Sequence, residues 1–144
     1  IDVDPGVRTD RMLTLRLGAP PGLEPAQRLA FQREAMARVA ALPGVAGATL
    51  QDCPALNGGC NGTVLWRRDR PEPAPGQELN VGVHWITPEW PQVMGVPLLR
   101  GRGFAEADRA GAPKVVVVSQ EAARRFWPGE DPIGRPVSVG QGGF

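Results

Sequence analysis

Almost every periodic run in this chain is cut short by proline and glycine. Pro20-Pro21-Gly22, Pro43-Gly44, Pro75-Gly76 and Pro128-Gly129 fall at the ends of apolar runs or between them, and the 144 residues hold 19 Gly and 16 Pro in all. Proline removes a backbone donor and glycine opens the left-handed region, so such pairs stop helices and strands. The chain must therefore build from short elements joined by tight turns. No apolar run approaches the ~20 residues that a membrane helix needs, and Val115–Val118 is of strand length. With no initiating Met and no signal-peptide pattern, the sequence reads as a soluble fragment of a longer chain.

Between the breaks the periods are legible. Met12 to Leu17 alternates with period two and predicts a strand. Pro25 to Leu42 predicts a helix, with Leu29, Phe31, Ala35, Met36 and Val39 on one broad face and Arg33, Glu34 and Arg38 opposite. Pro25 suits a first helical turn. Val45 to Gln51 predicts a second strand, completing a strand–helix–strand unit. The middle is richer in Gly and Pro. It predicts short strands at Thr63–Trp66 and Leu79–Thr87, then a short helix from Glu89 to Met94. The opening order then recurs as strand Val115–Val118, helix Gln120–Trp127 capped by Ser119, and strand Pro136–Val139. The expected class is α+β: two strand–helix–strand halves forming one mixed sheet, with helices on one face. The expected organisation is one domain, 1–144, with one lobe from 1–51 and 105–144 and a smaller one from 52–104.

Composition removes several function classes. Sixteen basic against fifteen acidic residues leave a net charge of +1, too little for a dedicated nucleic-acid face. His84 is the only histidine, and no Ser or Cys motif points to it as a base. Glu106/Asp108 and Glu130/Asp131 lie in predicted turns, where acidic side chains cap or face solvent rather than flank a cleft. The glycines around Arg102 and those at 140–143 do not open a helix after a strand, and no lysine serves them, so they are not a phosphate cradle. Ser119 lacks the flanking glycines of a nucleophile elbow and reads as a cap. Cys53 and Cys60 with His84 fall short of the ~4 ligands of a structural zinc site. The two cysteines are either free thiols or, in an oxidising compartment, a disulfide across Asn57-Gly58-Gly59. Catalytic, cofactor-binding and metal-binding residues are all expected to be absent, ATP binding included. Whether Trp66, Trp85, Trp90 and Trp127 line a core, a groove or an exposed patch is left open by the sequence.

One ordered set of pieces is more specific. Asp4-Pro5-Gly6 precedes the first strand, and Ala41-Leu42-Pro43-Gly44-Val45 follows the first helix. Thr87-Pro88-Glu89-Trp90 leads into Met94-Gly95-Val96-Pro97-Leu98-Leu99-Arg100-Gly101-Arg102, then Phe104 and Asp108. Ala123-Arg124-Arg125-Phe126-Trp127-Pro128-Gly129-Glu130-Asp131-Pro132-Ile133-Gly134 closes the series. In this order the pieces resemble the MacB-like periplasmic core domain of FtsX-like ABC-transporter permeases, over nearly the whole chain.

The resemblance implies an extracytoplasmic, non-enzymatic domain inserted between membrane helices, as in transport and efflux machines. There it couples ATP hydrolysis across the membrane to the handling of an adaptor, a substrate or a lipoprotein, while ATPase contacts lie elsewhere in the full protein. A ligand-binding or sensing domain, with a tryptophan-lined cleft between two lobes, is the alternative. The motif residues Gly101, Arg102, Phe104, Asp108, Trp127, Pro128 and Gly129 are expected to be structural, with a partly buried Arg102 held by Asp108. Relatives continue into a further apolar strand. A chain ending at Phe144 is thus expected to leave a sheet edge open to strand exchange.

Overall fold

The computed structural model describes residues 6–53, 62–74, 76–77 and 79–140. It is an α+β chain with the order α1 (Pro25–Ala40), β1 (Gly62–Arg67), β2 (Leu79–Gly82), α2 (Trp90–Val93), α3 (Gln120–Phe126) and β3 (Val137–Val139). Among the described residues no helix is long and apolar enough to cross a membrane. The chain divides into two compact units, one from Ile1–Gln51 with Ile86–Pro97 and the other from Asp52–Trp85 with Leu98–Phe144. The first 51 residues therefore group with 86–97, whereas the sequence led us to expect 105–144.

The first unit holds α1 and α2. Pro25 opens α1, and the Gln27 side chain accepts the Glu24 amide at 3.0 Å, satisfying one of the donors that a helix start leaves unpaired. Its stop is the turn at Pro43-Gly44, where the Val45 amide reaches the Leu42 carbonyl at 3.1 Å. No residue of α1 is fully buried, but Phe31, Ala35, Met36 and Val39 of its apolar stripe are half-buried and Leu29 is exposed. Gln51 pairs with Ile86 in an isolated antiparallel bridge. Beside it the Thr87 amide donates to the Leu50 carbonyl at 3.0 Å, and the Thr49 and Thr87 hydroxyls meet at 2.8 Å. The Trp90 indole N–H donates to the Gln51 side chain, and the Arg8 amide donates to the Met94 carbonyl at 2.7 Å.

The second unit holds the sheet, in the order β2-β1-β3. Both ladders are antiparallel, and Leu65 faces Leu79 on one side and Val139 on the other. Alternation along β1 sends Leu65 and Arg67 to the covered face. α3 is fixed at its start by the Ser119 hydroxyl, which accepts the Ala122 amide at 3.1 Å. At its other end Phe126 and Trp127 close over β1 and β3, forming a core with Leu65 and Val139.

Among the described residues the sheet is three-stranded and antiparallel and lies within one unit, where a mixed sheet built from two halves was expected. Met12–Leu17 and Val115–Val118 run without regular secondary structure, and Leu13 and Leu15 are 82% and 69% exposed. The reason is physical. Alternation fixes which side chains share a face, but the neighbour that completes a ladder is set by tertiary context.

Candidate functional site

The densest polar cluster of the second unit is built around Arg67. This side chain is only 7% exposed, and two carboxylates and a carbonyl take up its donors. Asp69 accepts from Nε at 2.8 Å and from Nη2 at 2.6 Å. Glu130 accepts from Nη1 and Nη2, each at 2.9 Å, and the Phe126 carbonyl accepts from Nη1 at 3.2 Å. The guanidinium carbon also lies 5.8 Å from the centroid of the Trp127 ring, a favourable cation–π position. Bidentate pairing of this kind is what lets an arginine sit out of water. The Arg67 hydrogen bonds hold both Asp69 and Glu130 below the usual carboxylate range, and those two acids push the Arg67 pKa up. Arg70 adds a bond to Glu130 at 3.1 Å.

The sequence motif lies in the same unit. Arg102 donates to both Asp108 oxygens, at 2.6 and 2.8 Å, and to the Gly103 carbonyl at 3.0 Å. Asp108 also accepts the Ala105 amide at 2.9 Å. Arg102 first, and then that amide, bring the Asp108 pKa down to about 2. The expected pair is present, but its burial is reversed: the Arg102 side chain is 61% exposed and Asp108 only 11%. A guanidinium on a flexible stem reaches out over the turn, whereas the short carboxylate is pulled in by the backbone amide it caps.

Arg100 donates to Asp131 at 2.7 Å, and the other Asp131 oxygen accepts the Ile133 amide at 3.1 Å. That amide, and then Arg100, lower the Asp131 pKa. Gly101 has φ +75°, and a Cβ there would lie 3.0 Å from Ile133 Cδ1. Phe104 is half-buried, while Pro128 and Gly129 form the exposed turn that ends α3, with Gly129 at φ +74°.

The remaining candidates scatter. His84 stands 3.7 Å from Asp52 and is partly exposed. Glu106 is exposed. Trp127 is buried at 3% and Trp85 is exposed. Cys53 is described and Cys60 is not, so the expected bridge lies outside the described residues. Among the described residues no group of three or more His, Cys, Asp or Glu is placed to hold a metal ion. The cluster can fix loops and bury charge. Its carboxylates are held ionised by arginines and backbone amides.

A family model described as the MacB-like periplasmic core domain matches residues 3–144. The chain belongs to that family. MacB-like periplasmic core domains are the periplasmic parts of ABC-transporter permeases, so membrane helices of the full protein are partners of this domain. No curated protein and no solved structure matches the chain.

Arg67 is a residue of this cluster that the motif reading missed. A signal was available. It follows Leu65 by two residues, one position beyond the predicted strand Thr63–Trp66, so extending that strand by one residue puts a charge on the apolar face, and Asp69 and Arg70 stand close beyond.

Proposed function

We propose that this MacB-like periplasmic core domain is a non-enzymatic coupling domain. It transmits ATP-driven movement of an FtsX-like permease to an adaptor, substrate or lipoprotein outside the membrane, in an efflux-type machine. The observation that carries this reading is the family match along residues 3–144. The arginine–carboxylate pairs support it, because they hold loops in fixed relation. The ligand-binding alternative called for tryptophans lining an apolar cleft, and Trp127 is instead packed beneath Arg67 in the core.

The test uses the full permease in lipid nanodiscs. Hydrogen exchange within this domain should change between the nucleotide-free and the ATP-trapped states, while the isolated chain gives no heat on titration with Mg-ATP. Identical exchange in both states would overturn coupling. Micromolar Mg-ATP binding by the isolated chain would overturn the non-enzymatic reading.

A further inference from the structure

The turn after α3 carries two adjacent carboxylates that are used in different directions. Glu130 takes Arg67 at the end of β1, with both distances 2.9 Å. Asp131, the next residue, takes Arg100 at 2.7 Å. Beside that pair Gly101 approaches Ile133 so closely that a Cβ would sit 3.0 Å from Cδ1. The segment that begins at Leu98 is therefore joined to the turn by an ion pair and a close packing contact. It is also closed on itself by Arg102 and Asp108.

The turn itself is stiff. Pro128 and Pro132 restrict its backbone, the Glu130 amide donates to the Trp127 carbonyl at 3.0 Å, and the Arg135 amide donates to the Pro132 carbonyl at 3.1 Å. The backbone positions of Glu130 and Asp131, consecutive on a stiff turn, are displaced together.

We propose that the Pro128–Arg135 turn is a two-sided clasp, which couples displacement of the Leu98–Asp108 segment to the β1–β3 end of the sheet. This deepens the coupling reading by naming a joint through which movement would pass. Its test is made on the isolated 144-residue chain, so it can fail while the experiment on the full permease succeeds.

Native-state hydrogen exchange reads both ends. The Arg68 amide donates to the Pro136 carbonyl and the Gly140 amide to the Val64 carbonyl, so both report on the β1–β3 pairing. Arg100→Ala removes the outer arm and should accelerate exchange at these two amides by about two- to five-fold, the range of a surface ion pair. Glu130→Gln weakens the inner arm, which holds the buried Arg67, and should accelerate the Asp108 amide at least about two-fold more than amides of the unit outside the clasp, because coupling is reciprocal. Arg100→Lys keeps a cation opposite Asp131 and should stay near wild type. Arg38→Ala, which breaks the exposed pair with Glu34 on α1, should leave all these amides unchanged. The clasp is overturned if Arg100→Ala affects only residues 98–108 and 131–135. It is equally overturned if every amide of the unit accelerates alike, since that marks a general loss of stability.

Discussion

Replacing Trp127 tests whether the second unit is centred where its geometry places it. The ring is 3% exposed, packs against Phe126 with centroids 5.9 Å apart, and lies under the Arg67 guanidinium. It shares the core with Leu65, Phe126 and Val139 alone among the buried apolar side chains described. Removing a buried tryptophan side chain costs ~3–5 kcal/mol in transfer and cavity terms, and the lost cation–π contact adds about 0.5–1 kcal/mol. Trp127→Ala should therefore destabilise the unit by roughly 4 kcal/mol, lowering its thermal midpoint by about 10–25 °C. Trp127→Phe separates packing from polarity. The indole nitrogen is buried with no hydrogen-bond partner among the described residues, and an unpaired buried donor costs about 1–3 kcal/mol. Losing it offsets much of the volume lost, so this variant should stay within ~1.5 kcal/mol of wild type. Denaturant unfolding followed by far-UV circular dichroism makes the measurement, with exchange at Arg68 and Gly140 assigning the loss to this unit. A cost below about 1 kcal/mol for Trp127→Ala would refute a core built on this ring. A Phe variant as unstable as the Ala variant would show that the indole N–H has a partner.

Three further outcomes are expected. Asp108 titrates at about 2, below its ordinary value, so its stabilising contribution is complete above pH ~5 and is lost as pH falls from ~4 toward ~2. Asp69 and Glu130 are lowered too, so the Asp108 share should appear as the difference between the acid unfolding curves of wild type and Asp108→Asn. Ser119→Ala removes the hydroxyl that caps α3 and should cost about 1 kcal/mol in denaturant unfolding. Gly101→Ala places a Cβ in a left-handed conformation and against Ile133, and should cost about 1–2 kcal/mol. Part of that loss should return in the double variant Gly101→Ala/Ile133→Ala, where the clash is relieved.

The elements bounded by local chemistry were legible in the sequence. Pro25 marked the start of α1, and Ser119 with Pro128-Gly129 marked both ends of α3. The short strand at Thr63–Trp66 and the strand opening at Leu79 appear as β1 and β2. The partnership of strands was not legible. Met12–Leu17 alternates as cleanly as any segment here, yet its leucines are exposed, while the less regular β1 takes the centre of the sheet. Alternation costs nothing to satisfy locally, whereas a ladder needs a second segment delivered by the rest of the chain. Arg67 was overlooked for a related reason. A strand that ends in a run of charges reads as a strand entering a solvated turn, and only the return of Glu130, 63 residues later, makes the inward position tolerable for a cation.

The residues that carry the family resemblance divide by what they do in the structure. Gly101 and Gly129 hold left-handed turns. Asp108 and Asp131 each accept a backbone amide as well as an arginine, and Trp127 fills the core. Most of these positions determine how the chain turns and where one loop meets the next. Joint residues are constrained by backbone geometry, which varies little with what a domain carries, whereas a surface that grips cargo is free to change its side chains on the same joints. The motif is therefore informative about architecture and uninformative about cargo. On the proposed coupling role, variants in the joints should change stability and coupling together, while variants that change only a partner should map to exposed side chains outside the motif.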